Sequence, residues 1–332
     1  MLNTEKGNLT TITEFILVGF GNIPELQPLL FLLFLMIYIV TLTGNFLIIL
    51  LVVADHHLRT PMYFFLANLS CLEICYSSIF LPKMLVNLLS GERSISVSGC
   101  IAQFYFFGSF VSVETYFLAA MSYDRYLAIC RPLNYASIMN RKLCFQLMAV
   151  GWINALVGDS IVVFMLVQLD FCGPNVIDHY FCDLILIEKL SCSDISLIQI
   201  VTSVLPFIYI VTPFLLTVTS YVCIITTVLK IPSAIGRQKA FLTCSSHLTV
   251  VCIFYGSLII VYMLPDTPTL RDLNKVFSLF YTILNPLINP LIYSLRNKEV
   301  HKALKTICSK LANHARNQLN STLSFAFFQP AS

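Results

Sequence analysis

The chain has 332 residues and a net charge of +3, with 57% hydrophobic against 11% charged residues. A soluble domain usually carries about 25% charged residues, so most of this surface must face lipid rather than water. The net charge is too small to suggest a nucleic-acid partner.

The first 27 residues mix polar and apolar side chains, among them Glu5, Lys6, Glu14 and Glu25, and lack a basic start followed by an apolar core. No cleavable signal peptide is expected, and the first apolar run serves as an uncleaved anchor. Asn8-Leu9-Thr10 is a glycosylation acceptor. A membrane helix needs about 20 mostly apolar residues. Seven runs qualify, at roughly 28–54, 61–88, 98–123, 143–167, 197–229, 241–264 and 275–295. The predicted fold is therefore an all-α membrane protein, a seven-transmembrane helix bundle. It divides into an N-terminus over 1–27, the transmembrane domain over 28–296, and a short cytoplasmic amphipathic helix with its tail over 297–332. Pro82, Pro206, Pro213, Pro265, Pro286 and Pro290 fall within or at the ends of spans, where kinks are expected rather than breaks.

Orientation follows from lysine and arginine. With the N-terminus outside, the inner side holds Arg59, Arg125, Arg131, Arg141, Lys142, Lys230, Arg237, Lys239, Arg296, Lys298, Lys302, Lys305, Lys310 and Arg316. The outer side holds Lys6, Lys83, Arg93, Lys189, Arg271 and Lys275. This excess places the N-terminus outside and the C-terminus inside, which also puts Asn8 where glycosylation occurs. Asn68 and Asn320 fit the acceptor pattern by chance, one in span two and one on the inner side.

Four of the twelve cysteines then lie on the oxidising face: Cys100 at the start of span three, and Cys172, Cys182 and Cys192 in the loop before span five. They read as two disulfides, with three pairings open. In the same loop His179, Cys182 and Asp183 invite a metal reading, but a disulfide would leave Cys182 no thiolate, and a structural histidine is the better account.

Further motifs recur along the spans. Span one carries Gly44-Asn45, and Leu58-Arg59-Thr60-Pro61-Met62-Tyr63-Phe64-Phe65-Leu66 opens span two. Met121-Ser122-Tyr123-Asp124-Arg125-Tyr126-Leu127-Ala128-Ile129-Cys130 ends span three, and Ser220-Tyr221 falls near the end of span five. Lys239-Ala240-Phe241-Leu242-Thr243-Cys244-Ser245-Ser246-His247-Leu248 opens span six, and Asn289-Pro290-Leu291-Ile292-Tyr293-Ser294-Leu295-Arg296-Asn297 ends span seven. With every motif in register from about residue 10 to 310, the chain closely resembles the vertebrate olfactory receptors, a branch of the rhodopsin-like receptors.

The resemblance implies roles. Cys100 pairs with Cys182 and Cys172 with Cys192; Asp124 restrains Arg125 at rest; Tyr126 belongs to the same switch, while Tyr221 and Tyr293 help hold the active state. A heterotrimeric stimulatory G protein docks on the inner side and raises cAMP, at the plasma membrane or, in smell, the ciliary membrane. The same receptor can also serve as a chemosensor outside the nose. Departures from the family pattern are Arg59 in place of histidine, Ser122 in place of alanine, Glu73 in place of aspartate, and Ile185-Leu186-Ile187-Glu188 in the outer loop, which could reshape the pocket lid.

By register, Phe107, Gly108, Val111 and Ser112 face the outer half of the bundle, with Tyr209, Tyr255, Leu258, Ile259, Tyr262 and Thr282. Spacings of three and four keep each group on one helix face. The expected lining is apolar, with a few hydroxyls and neither lysine nor carboxylate, which suits a small alcohol, ketone or ester as the odorant. Asp159 either faces this cavity or bonds to a neighbouring helix.

At about 1.5 Å per residue, Glu114 lies roughly 15 Å above Asp124, and Glu73 roughly 18 Å above Pro61. Asn45, Asn285 and Asn289 fall at similar depth. Two carboxylates there need a bound cation or a retained proton, so Glu73, Glu114, Asn285 and Asn289 are the expected sodium site; no other cofactor is expected. Past span seven, Val300, Leu304, Ile307 and Leu311 repeat at helical spacing among lysines, the pattern of a helix on an anionic leaflet, where Cys308 can be palmitoylated.

Rival classes fall away. A retinal-binding opsin needs a span-seven lysine where this chain has Ile283. A transporter should show internal repeats, and an enzyme a nucleophile–base pair or metal cluster at one depth; neither is evident.

Overall fold

The computed structural model describes residues 12–21, 25–172, 174–264, 268–296, 300, 302–306 and 309. Asn8 and Cys308 lie outside them, as does the side chain of Tyr293. Seven helices are long and apolar enough to cross a membrane. Spans one to four are Gln27–Ala54, Pro61–Ser90, Val97–Cys130 and Arg141–Leu166; span five is Ser196–Leu229 and span six is Ala234–Met263. Span seven runs through Pro268–Leu279, Phe280–Leu284 and Asn285–Arg296.

The helices overrun the hydropathy at several ends. Span three continues to Cys130, and span six begins at Ala234, ahead of its apolar run. Water at the membrane surface does not break a helix; a cap or a breaker does. Ser96, Asn140 and Ser233 each accept a backbone N–H of the first turn, from Gly99, Leu143 and Gly236. Span two ends where Gly91 turns left-handed at φ 72°, its N–H bonded to the carbonyl of Asn87.

Spans five and seven widen into single π-helical turns at Phe207–Val211 and Phe280–Leu284. The N–H groups of Thr212 and Asn285 reach carbonyls five residues back, on Phe207 and Phe280. Pro213 and Pro286 follow directly. A proline has no N–H to give the fourth carbonyl behind it and crowds that carbonyl, so the turn opens.

Lipid gives apolar helices no reason to leave it, so close backbone approach and interhelical hydrogen bonds hold a bundle together. Gly44 supplies one such approach: a β-carbon there would sit 3.1 Å from the Pro290 ring. Beside it Asn45 donates to the carbonyl of Pro286, 3.1 Å away, so the Gly44-Asn45 pair joins spans one and seven. Gly151 plays the same part between spans four and three, against Tyr116. Span three is the hub: its buried face includes Val113, Phe117, Leu118 and Met121. Span one is peripheral, with Leu29, Met36 and Phe46 turned outward to the lipid.

One end carries a feature that apolar patterning did not reveal. Strand β1, Glu14–Leu17, pairs antiparallel with β2, Ser94–Ser96, and parallel with β3, Val176–Ile177. Phe15 and Leu17 point inward and are fully buried, while Glu14 and Ile16 alternate outward. Three strands this short, drawn from three separate segments, leave almost no period-two signal. At the opposite end, residues 302–306 are helical; Val300 and Ala303 are buried while Lys302 and Lys305 are exposed.

Candidate functional site

Spans three, four, five and six enclose a cavity of about 620 Å³ beneath the loop that joins spans four and five. Phe107, Gly108, Val111, Ser112, Tyr209, Leu258 and Tyr262 line it. The π turn in span five contributes Phe207, Tyr209 and Ile210. Tyr255, Ile259 and Thr282 face the bundle but not the cavity. Tyr255 is fully buried and donates to the Thr115 carbonyl at 2.7 Å. Thr282 donates to the Ser278 carbonyl and meets the Tyr180 hydroxyl, and Ile259 packs against the core. Helix periodicity gives direction; whether a neighbour already fills the space depends on packing.

The loop forms the lid. Disulfides join Cys100 to Cys182 and Cys172 to Cys192, with Cα–Cα distances of 5.5 and 5.8 Å, the pairing the family resemblance implies. The first pins the loop to the top of span three, where the Cys182 N–H also donates to the Gln103 side chain. Phe181 packs on Phe107 with centroids 5.0 Å apart. His179 lies buried between the rings of Tyr180 and Phe181. Burial, reinforced by the charge of Lys275, pushes its pKa down to about 3, so it stays a neutral packing residue. With Cys182 oxidised, it has no thiolate for a metal; the one group of metal-ligating geometry among the described residues is Asp55, His56 and His57, just past the C-terminal end of span one.

The lining departs from the apolar expectation. Asp159, Asp183 and Glu188 all face the cavity, and among the described residues no lysine, arginine or histidine does. Asp183 accepts from the Ile185 N–H at 3.0 Å and the Tyr262 hydroxyl at 2.8 Å, yet burial holds its carboxyl above the usual range. Glu188 is likewise shifted upward by burial. Two signals pointed to these residues. Asp183 adjoins a cysteine tied to span three, so it must overhang the mouth, and a charge such as Asp159 inside a span is functional by default. Gly158 and Tyr209 set the geometry beside Asp159. A β-carbon at 158 would overlap the Tyr209 hydroxyl, which donates to the Asn154 carbonyl at 3.1 Å. Gly158→Leu should therefore destabilise the bundle by about 1–3 kcal/mol, read as a lower unfolding temperature of the purified receptor.

At the other end of span three Asp124 and Arg125 do not form the expected restraint as an ion pair. Neighbours in a helix point about 100° apart and cannot face each other. Asp124 instead accepts from Tyr135 at 2.8 Å, and no ion pair within 4 Å joins it to Arg125 among the described residues. The Nε of Arg125 is buried without a hydrogen-bond partner. Tyr221 bonds to His247 at 2.6 Å, linking spans five and six, and Tyr126 packs into the same cluster.

Midway, Glu73 and Glu114 are fully buried. Asn285 donates to Glu114 at 2.6 Å and Asn289 donates to Glu73. Each amide gives one of its N–H groups this way. The second oxygens of both glutamates, and the oxygens of Asn45, Asn285, Asn289 and Thr41, are left buried with no hydrogen-bond donor.

A ligand cavity at one end of span three and, near the other, an arginine whose Nε is buried without a partner make this bundle a transmembrane receptor of the G-protein-coupled class, for an event in the cavity reaches the far side only through the helices between them. Comparison with known proteins narrows the class. A family model described as olfactory receptor matches residues 34–310. The chain is 49% identical to olfactory receptor 11A1 of Homo sapiens, over 90% of this chain and 95% of that one. It is 45% identical to olfactory receptor 5G9 of Mus musculus, over 93% and 99%, and 47% identical to the olfactory receptor-like protein OLF1 of Canis lupus familiaris, over 90% and 96%. The chain belongs to the olfactory receptor family. It is a multi-pass membrane protein, an odorant receptor acting through a G protein, and not an enzyme.

Proposed function

We propose that the receptor captures a small odorant in the lidded cavity and passes the signal to a stimulatory G protein, raising cAMP. It sits in the plasma membrane with its N-terminus outside, glycosylated at Asn8, which agrees with the inward excess of lysine and arginine. The observation that carries the reading is the cavity itself. Its volume of about 620 Å³ suits a single small ligand, and the lid is tied to span three, the helix that carries Arg125 near its other end. Cys100→Ser or Cys182→Ser should free the lid and cut surface delivery several-fold, scored by antibody on intact cells. The mid-bundle oxygens of Glu73, Glu114, Asn45, Asn285 and Asn289 suit a hard cation, which takes oxygen ligands, and a sodium ion would be held there at rest.

The reading is tested in cells expressing the chain with a cAMP reporter, screened against a varied odorant panel. At least one odorant should raise cAMP in proportion to dose, and Leu258→Trp, which fills the cavity from span six, should remove the response at unchanged surface level. A response that survives Leu258→Trp would place the ligand elsewhere.

A further inference from the structure

Of the three carboxylates facing the cavity, Asp159 is the one carried by a membrane span and buried deepest in the wall, and one of its oxygens has no hydrogen-bond partner. Asp183 is held by Tyr262, by the Ile185 amide and by the charge of Lys189, and Glu188 lies beside Thr202 in the lid. Asp159 is 5% exposed, and its Oδ2 makes no hydrogen bond. The Ser109 hydroxyl is the one side chain near enough to turn toward it, and within hydrogen-bond distance it has no partner of its own. The nearby Tyr209 hydroxyl is committed to the Asn154 carbonyl, so its proton points away from the carboxylate. Gly108 faces Asp159 from span three with no side chain between them: a β-carbon there would lie 3.8 Å from Oδ2.

An unpaired carboxylate this deeply buried costs several kcal/mol unless it keeps a proton or meets a cation. Among the described residues the lining offers no cationic side chain. The surrounding rings of Phe104, Phe107, Tyr209 and Tyr262 present π faces and edges, and π faces favour an ammonium over a neutral group. The missing charge therefore belongs to the ligand.

We propose that the cavity takes a small apolar amine in its protonated form, with Asp159 as its counter-ion. This rests on the cavity being the odorant site, as proposed above. It replaces the neutral alcohol, ketone or ester that an apolar lining would suit, since a neutral hydroxyl satisfies one lone pair but leaves the charge uncompensated. Protonated amine and carboxylate meet with no covalent step.

The test uses the full-length receptor in lipid nanodiscs and in reporter cells, with shape-matched pairs: cyclohexylamine against cyclohexanol, isoamylamine against isoamyl alcohol, and N,N-dimethylcyclohexylamine as a tertiary amine. Amines should raise the unfolding temperature and activate the reporter at concentrations at least tenfold below their alcohols. Asp159→Asn should weaken the amines by about 100-fold while changing any alcohol response less than threefold, and Asp159→Glu should keep the amine preference. Should Asp159→Asn fail to reach the membrane, Gly108→Val crowds the same carboxylate and is expected to weaken the amines alike. Equal or greater potency of the alcohols, or amine binding indifferent to Asp159→Asn and Gly108→Val, overturns the amine proposal. In that case loss of the alcohol response in Leu258→Trp keeps the cavity as the site, whereas responses untouched by Leu258→Trp remove both. If no member of either set binds or activates, the amine proposal is also overturned.

Discussion

Arg125→Ala should abolish odorant-driven G-protein activation, by at least about 100-fold in potency or entirely in amplitude, while surface delivery stays near wild type. The reasoning starts from what the guanidinium lacks. An arginine stays charged in proteins and presents five N–H donors, yet the Arg125 Nε is buried with nothing to accept it. Asp124 is turned away to Tyr135, whose phenol is pushed upward by burial and by the Asp124 charge and so remains a donor. Arg125 lies among Tyr221, Cys244 and His247 of spans five and six, close enough to influence all three. A buried Nε–H without an acceptor is costly to keep, and a partner arriving at this end of the bundle that offers carbonyls or a carboxylate would relieve the cost. Removing the side chain should leave the resting fold no worse and delete that partner's anchor. The measurement is a G-protein reporter beside antibody staining of intact cells. Full signalling from a well-delivered Arg125→Ala receptor would refute the role.

How much of this could be read without coordinates varied with the kind of physics involved. Spans were legible because a lipid-facing helix must be apolar for about 20 residues whatever its neighbours. Their ends were not, since caps such as Ser233 and Asn140 are single polar residues outside the apolar run. The even set of outer cysteines announced two disulfides, and the pairing came only with the family resemblance. Of the ten residues expected from helix face, seven line the cavity, while Tyr255, Ile259 and Thr282 lie outside it, because facing inward and facing a void differ only in what stands opposite. The apolar lining was a misjudgement of the same origin: Asp183 and Glu188 come from a loop with no periodicity, and Asp159 lacked a face until span four was placed against Gly108 and Tyr209. Where depth arithmetic applied it served better, and it brought Glu73, Glu114, Asn285 and Asn289 to one level before any contact was known.

Raising extracellular sodium should lower odorant potency in the wild type, and Glu73→Gln or Glu114→Gln should flatten that dependence. Both glutamates are fully buried, and each takes one hydrogen bond, from Asn289 and Asn285 respectively. What is left in the cluster without a hydrogen-bond partner is oxygen: the second oxygen of each glutamate, the amide oxygens of Asn45, Asn285 and Asn289, and the Thr41 hydroxyl oxygen. Acceptors without donors in a low-dielectric bundle are what a hard cation satisfies best. The oxygens come from spans one, two, three and seven, so a cation binding them all would favour the arrangement in which those helices stand together. Binding that favours one state shifts its population by RT ln(1 + [Na⁺]/Kd), about a tenfold change when sodium exceeds its Kd tenfold. The wild-type odorant EC50 should therefore rise by up to about tenfold as sodium replaces N-methyl-D-glucamine at constant ionic strength. Either glutamine variant keeps the shape and the hydrogen bond but removes a charge, and its EC50 should move less than about twofold. A wild type indifferent to sodium, or variants that keep its full dependence, would leave a neutral hydrogen-bonded cluster that only packs the helices.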